Sequence, residues 1–283
     1  MEPIIKLDDF SFKYRDAKHY ALRHVTFEVP EGGFLCVIGP NGSGKSTLCN
    51  ALVGLIPHHF SGKYRGSVQV LDGEVSQKSI ADVSCDVGFV FQNPFNQLSY
   101  TAGTVAEELA YGLGNRGIPR DEMVRRIEQI AGPLHLEDVL DRNPLELSGG
   151  QVQRVALGST LILNPRVLVL DECTTQLDPL GSEEIFDIVK QLNADGMTVI
   201  MVDHDMERVA RCADQVLVLR RGNQIACGTP DEVFDNPELE GLSIDIPEYV
   251  RISRALRREG LADGPLTLTE DACVERVREA MAS

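Results

Sequence analysis

At 283 residues the chain is long enough to bury a full α/β core and still carry an appendage. Its net charge of −16 excludes a surface built to wrap nucleic acid and disfavours direct adsorption to an anionic membrane leaflet. No apolar run approaches the length of a membrane span, and Met1–Lys6 lacks the basic-then-apolar pattern of a secretory signal. The expected place is therefore cytosolic, with any membrane contact made through a partner. The seven cysteines form no Cys-x-x-Cys pair and read as reduced thiols, Cys36 within a buried strand.

In chain order, Val25–Val29 alternates strictly and predicts a half-buried antiparallel strand, in a small sheet covering the loop that follows. Phe34–Ile38 is a continuous apolar run, as a parallel strand buried on both faces requires. Directly after it comes Gly39-Pro40-Asn41-Gly42-Ser43-Gly44-Lys45-Ser46-Thr47, and Ser46–Val53 can open a helix. Strand, glycine loop and helix in that order mark a phosphate-binding loop. Gly39, Gly42 and Gly44 allow backbone geometry and close approach that a β-carbon would obstruct. Successive N–H groups and the helix N-terminus then face the phosphates. Lys45 adds a point charge at the β- and γ-phosphates, and the Ser46 hydroxyl is placed to ligate Mg²⁺. With Asn41, Ser43 and Thr47 also in place, every motif position is filled, and ATP with Mg²⁺ is the expected ligand.

Residues 93–163 read as mostly helical, with Met123, Ile127 and Ile130 at helical spacing. Near their end Leu147-Ser148-Gly149-Gly150-Gln151 precedes a helix beginning near Gln151, whose N-terminus can favour a phosphate across an interface. Val167–Leu170 predicts a second buried strand, ending in Asp171 and Glu172. Alternation along a strand sends these carboxylates to opposite sides. Asp171 is then expected to hold Mg²⁺, directly or through water, and Glu172 to polarise the attacking water. A third strand, Thr198–Val202, ends at Asp203-His204-Asp205. Ligands gather at the carboxyl ends of open parallel sheets, so His204 is expected near the γ-phosphate, bonded to it and to the attacking water. Beyond about Cys227, Thr229-Pro230-Asp231-Glu232 is a capping box. Helices follow from Asp245-Ile246-Pro247 to about Arg258 and from Thr269 to Met281, broken at Gly260–Pro265. Val250, Leu256, Val274 and Val277 suggest docking of this tail onto the domain or onto a second copy. The expected boundaries are a nucleotide-binding domain over 1–228, a helical subdomain within it at about 93–163, and a helical appendage over 229–283.

The glycine loop, the Leu-Ser-Gly-Gly-Gln block and the acidic strand end together resemble the ATP-binding cassette (ABC) family, over nearly all of residues 1–230. The resemblance implies an α/β fold: a P-loop NTPase (RecA-like) core with a mixed sheet, an antiparallel β subdomain, an inserted helical subdomain and a C-terminal helical appendage. It also implies a nucleotide held between two copies of the domain. By similarity, Tyr14 in Phe12-Lys13-Tyr14-Arg15 would stack on adenine. Gln92 looks like the Q-loop glutamine that senses Mg²⁺ and the membrane partner, and Asp178 like the D-loop aspartate that communicates across the dimer. Ser148 and Gly150, in the signature with Gly149 and Gln151, would cap the γ-phosphate of ATP held by the other subunit; His204 looks like the switch histidine. Two positions depart from the family pattern: Cys173 stands where proline is usual, and Asp203 where threonine is usual. Neither removes a reacting group, so the chain reads as a competent ATPase half-site.

A narrower resemblance, to the ATP-binding subunits of energy-coupling factor importers, rests on several further blocks. They are Gly54–His58 with Gly66-Ser67-Val68, Phe91–Leu98, Thr104–Gly112, Gly117-Ile118-Pro119 and Asp171–Asp178. The second glutamine, Gln97, and the Thr175-Gln176-Leu177-Asp178 form of the D-loop point most directly that way. Such importers take up vitamins and transition-metal ions. The resemblance implies a second ATPase subunit, identical or homologous, an integral membrane coupling subunit and a separate substrate-binding membrane subunit. The chain would then sit at the cytoplasmic face of the cell membrane, held through those partners, with no nucleic acid. The coupling subunit would enter a groove bordered by Gln92, Phe95, Asn96, Gln97 and Leu98, with Glu107 and Glu108 beyond. Soluble ABC ATPases of DNA repair carry coiled-coil or zinc-bearing insertions, those of translation carry two cassettes, and exporters are usually fused to membrane helices; this sequence has none of these.

Overall fold

Ten strands form one mixed sheet in the computed structural model, which describes residues 3–175, 177–242 and 244–282. The strands are β1 (Pro3–Tyr14), β2 (Leu22–Pro30), β3 (Phe34–Ile38), β4 (Gly62–Val70), β5 (Gly73–Glu74), β6 (Val87–Val90), β7 (Val167–Asp171), β8 (Thr198–Val202), β9 (Gln215–Arg220) and β10 (Asn223–Gly228). Their order across the sheet is β5-β4-β1-β2-β10-β9-β3-β8-β7-β6. From β9 to β6 all neighbours are parallel, while β5, β4, β1 and β2 form an antiparallel wing. β2 alternates buried and open positions from Val25 to Val29, as its sequence predicts. The wing is not a separate sheet, because β2 joins β10 in parallel at Asn223 and Arg23.

β3 carries apolar residues at every position, and β7 and β8 do so over Val167–Leu170 and Val199–Val202, because both of their faces are covered. Phe34, Cys36 and Ile38 of β3 point into one core with Leu168, Leu170 and Met201. Leu35 and Val37 point into the other with Val169, Ile200 and Val202. Each such side chain contributes about 1.5–3 kcal/mol when fully buried, which fixes the register of these strands and hence the level at which their carboxyl ends emerge.

The helices are α1 (Lys45–Leu52), α2 (Leu55–His58), α3 (Ile80–Asp86), α4 (Val105–Asn115), α5 (Arg120–Ala131), α6 (Gly149–Leu161), α7 (Pro179–Ala194), α8 (Met206–Cys212), α9 (Pro230–Asp235), α10 (Glu248–Arg258) and α11 (Glu270–Ala282). Helices α4 to α6 lie within residues 93–163, and Ile127 of α5 is buried against Leu109 and Val155 in one shared core. The capping box at Thr229 forms, with Pro230 in the first turn of α9. α9 and the start of α10 dock onto the body: Phe234, Ile246 and Val250 join Val209 and Val216 in the same core. α11 behaves differently, since Val274 stays 42% exposed. No helix among the described residues is long and apolar enough to cross a membrane.

Candidate nucleotide site

The sheet order decides what meets at the site. β3 lies beside β8 and β8 beside β7, with Val202 paired to both Val37 and Asp171. β6 completes the edge, Val90 paired with Leu170. Four segments therefore leave the sheet side by side: the glycine loop, Asp171-Glu172, Asp203-His204 and Phe91-Gln92.

The glycine loop closes on itself through Lys45, whose Nζ donates to the carbonyls of Gly39 at 2.9 Å and Pro40 at 3.3 Å. Two glycines are required by approach as well as conformation. A β-carbon on Gly39 (φ 146°) would lie 2.1 Å from the Leu219 carbonyl, and one on Gly44 (φ 111°) 2.6 Å from that of Ala21. The loop forms the floor of a cleft of about 360 Å³. Asn41, Gly42, Gly44, Lys45, Ser46 and Thr47 line it, facing Gln92 and Glu172. Ser43 lies buried beneath, and its backbone carbonyl accepts the Gly222 N–H. Ala21 also lines the cleft; nothing in its sequence surroundings marked it, since only the pairing of β2 brings it there.

Glu172 is the most connected side chain of the site. Its Oε2 accepts from Gln92 Nε2 at 2.6 Å, its Oε1 lies 2.7 Å from His204 Nε2, and Lys45 Nζ stands 3.5 Å from Oε1. β7 ends at Asp171, and Glu172 follows with φ 51°. A left-handed turn, rather than strand alternation, thus aims its carboxylate at the cleft. Asp171 is buried, and its Oδ1 has no hydrogen-bond partner. Burial pushes the Asp171 carboxyl above its ordinary range, opposed by a hydrogen bond with the Ser46 hydroxyl. Tyr14 is half-buried behind Thr47: its hydroxyl is 3.2 Å from Thr47 Oγ1, and its ring packs edge-on against Phe12 and Phe60. Cys173 is buried, and burial pushes its thiol up to about 12, which leaves it a neutral packing group.

The signature residues lie elsewhere. Ser148 caps α6 and forms a reciprocal capping box with Gln151. Ser148, Gly149, Gly150 and Gln151 share a second concavity of about 490 Å³ with Asp178, which caps α7. Among the described residues, none lines both concavities. A β-carbon on Gly149 would meet no atom of this chain within 4 Å, so its own packing does not demand a glycine there.

The groove expected beside Gln92 is arranged differently. Leu98 is 6% exposed and packs in the core, and Glu108, 4% exposed, accepts from the backbone N–H and hydroxyl of Ser99. Gln97 is also turned inward: its Nε2 donates to the Ala156 carbonyl and Thr160 Oγ1, and its Oε1 accepts from Phe91 N. Helix-period apolar spacing and a short polar run did not distinguish these inward groups from surface ones. Phe91 and Phe95 are the apolar groups left open. Gln176 lies outside the described residues.

A phosphate cradle, a paired acidic strand end and a separate glycine-rich helix cap define an ABC-type ATPase subunit. The family profile described as "ABC transporter" matches residues 22–175. An ABC transporter ATP-binding protein of Pyrococcus horikoshii is 42% identical over 280 residues, 98% of this chain and 97% of that protein. The energy-coupling factor transporter ATP-binding protein EcfA1 of Bacillus subtilis is 39% identical over 277 residues, covering 97% and 96%. Among solved structures, cbiO1 from Clostridium perfringens, described as part of the ABC transporter complex cbiONQ, superposes with a TM-score of 0.74. It is 30% identical, with 92% of this chain and 98% of that one covered. The chain belongs to the ABC transporter family, among its energy-coupling factor ATP-binding subunits. It is an ATP-binding ATPase with the α/β P-loop fold.

Proposed function

We propose that the chain hydrolyses ATP to drive uptake of a vitamin or transition-metal ion through an energy-coupling factor importer at the cytoplasmic face of the cell membrane. In this reading it acts beside a second ATPase subunit, an integral coupling subunit and a membrane subunit that binds the substrate. The observation that carries the two-subunit reading is the separation of the glycine-loop cleft from the signature concavity on one chain. Each is half a site, and two chains facing each other supply two whole ones.

In this reading Gly39, Asn41, Gly42, Ser43, Gly44, Lys45, Ser46 and Thr47 hold the phosphates and Tyr14 takes the adenine. Mg²⁺ fits the residues present: Asp171 Oδ1 is buried and unpartnered beside Ser46, and Ser46 and Gln92 line one cleft, a hard-oxygen set of the kind that cation takes. When bound it neutralises charge on the β- and γ-phosphates. Glu172 takes the proton of the attacking water, with His204 and Gln92 fixing its two oxygens. Lys45, donating to two loop carbonyls, is already oriented to receive the γ-phosphate. Ser148, Gly149, Gly150 and Gln151 cap the partner's nucleotide, and Asp178 reports that contact.

The membrane coupling subunit docks on the exposed Phe95 and at an apolar cleft of about 260 Å³ lined by Val53, Leu55, Ile80, Phe89, Phe91 and Leu163. A net charge of −16 favours a partner segment rich in arginine. The test is recovery of the tagged full-length chain from its native membrane. Copurification with integral membrane proteins, in a complex whose uptake of substrate stops when Lys45→Ala is introduced, is the expected result. Recovery free of membrane proteins, or uptake unaffected by Lys45→Ala, overturns the reading.

A further inference from the structure

The turn that carries His204 rests on a charged group the family pattern does not call for. Asp203 is 6% exposed. Its Oδ1 accepts the backbone N–H of His204 at 2.6 Å and that of Asp205 at 2.9 Å. Its Oδ2 accepts no hydrogen bond and lies 3.7 Å from Nε of Arg208. The Arg208 side chain is only 12% exposed and reaches further. Its Nε donates to Asp205 Oδ2 at 2.9 Å and its Nη1 to Ser182 Oγ at 2.6 Å. Its guanidinium also lies over the Phe186 ring, 5.9 Å from the centroid. Ser182 and Phe186 are buried on α7, the helix capped by Asp178.

Helix capping does not account for Asp203. The cap of α8 is Asp205, whose side chain accepts from the N–H groups of Glu207 and Arg208. Nor does packing, since a carboxylate at this depth is costly unless its charge is answered. Burial raises the Asp203 carboxyl above its usual range, with the two backbone N–H groups and Arg208 drawing it back. A threonine oxygen could accept both N–H groups, but it carries no charge to answer the guanidinium. The charge thus ties the His204 turn to α7.

We propose that Asp203 and Arg208 form a positioning pair for His204, Asp203 fixing the turn that aims the imidazole at Glu172 and Arg208 anchoring that turn to α7. The path from Asp178 along α7 to Arg208, Asp203 and His204 makes the placement of the imidazole depend on the surface that holds the signature. The inference rests on the assignment of His204 to the hydrolytic site.

The experiment measures ATP hydrolysis by the full-length chain carrying Asp203→Asn, Arg208→Gln, His204→Ala and each of the first two combined with the third. Asp203→Asn keeps an oxygen for both N–H groups and removes the charge. Each of the first two variants should lower kcat about tenfold with KM for ATP within about twofold, and neither should lower it further in the His204→Ala background. Arg208→Lys should recover part of the lost rate. Should His204→Ala retain wild-type activity, the assignment of His204 falls and the inference with it. An inactive His204→Ala beside an Asp203→Asn of unchanged kcat leaves the assignment standing and overturns the positioning pair alone. Losses that persist in full in the His204→Ala background also overturn it. Failure of both Asp203→Asn and Arg208→Gln to give a cooperative thermal transition would show a pair that holds the fold rather than His204, and overturns it equally.

Discussion

Glu172 gathers three donors of different kinds on one carboxylate: an amide from Gln92, an imidazole from His204 and an ammonium from Lys45. Its side chain is only 12% exposed, so these contacts act in a medium far less screening than water. Glu172→Gln keeps the shape and removes the carboxylate proposed as the base. Hydrolysis should fall by about 10²–10⁴-fold while ATP still binds, measured as phosphate release against nucleotide affinity. Wild-type turnover in that variant would remove Glu172 from its role. Asp203 gives a second test, on stability. Its carboxyl is raised above 3.8 by burial, so its contribution is full below that value and is lost as pH rises through the raised one. Compared with Asp203→Asn, the wild type should therefore lose melting temperature as pH rises from 3.8 through the raised value. A constant difference across that range would show that the carboxyl is not held up in the folded protein.

The central strands could be read from sequence because burial on both faces leaves a run with no polar residue, as in Val167–Leu170 and Val199–Val202. The glycine loop was legible because close approach admits nothing larger at Gly39 and Gly44. Other features depend on information that no local pattern holds. The aim of Glu172 depends on a single φ of 51° after the strand. The inward turn of Gln97 depends on α6 passing beneath it, some sixty residues on. That glutamine ties the Phe91 backbone to α6, so Gln97→Ala should do more than trim a surface. It takes the donor from the Thr160 hydroxyl oxygen and the acceptor from the Phe91 N–H, a loss of about 1–3 kcal/mol on denaturant unfolding. Phe95→Ala, at a 48% exposed position, should leave stability unchanged while reducing copurification with the membrane subunit. Equal copurification at equal protein abundance would place the docking surface elsewhere. The separation of the two variants is the useful readout, since Gln97 acts through the element and Phe95 at its surface.

At the scale of the whole molecule, the glycine-loop cleft and the signature concavity have no lining residue in common among the described residues. α6 opens at Ser148, whose side chain takes the Gln151 N–H, and the positive end of this 13-residue helix favours an anion brought from outside. Leu145 and Leu180, 73% and 72% exposed, flank the signature and the D-loop, apolar surface of the kind that a second copy covers. Ser148→Arg should therefore abolish hydrolysis with little change in nucleotide affinity of the single subunit, because the arginine obstructs the partner's nucleotide and not its own. Lys45→Ala should do the reverse, weakening nucleotide binding while leaving the signature intact. Mixed together, the two inactive proteins can assemble one composite site, from the glycine loop of the Ser148→Arg chain and the signature of the Lys45→Ala chain. With random pairing half of the dimers are mixed, each with one of its two sites intact, so hydrolysis should recover to about a quarter of the wild-type rate if the sites act independently, and to less if they must fire together. Titrating one variant into the other while recording phosphate release gives the ratio directly. A mixture as inactive as its components would leave both half-sites to be sought on a single chain, and loss of nucleotide binding by Ser148→Arg alone would do the same.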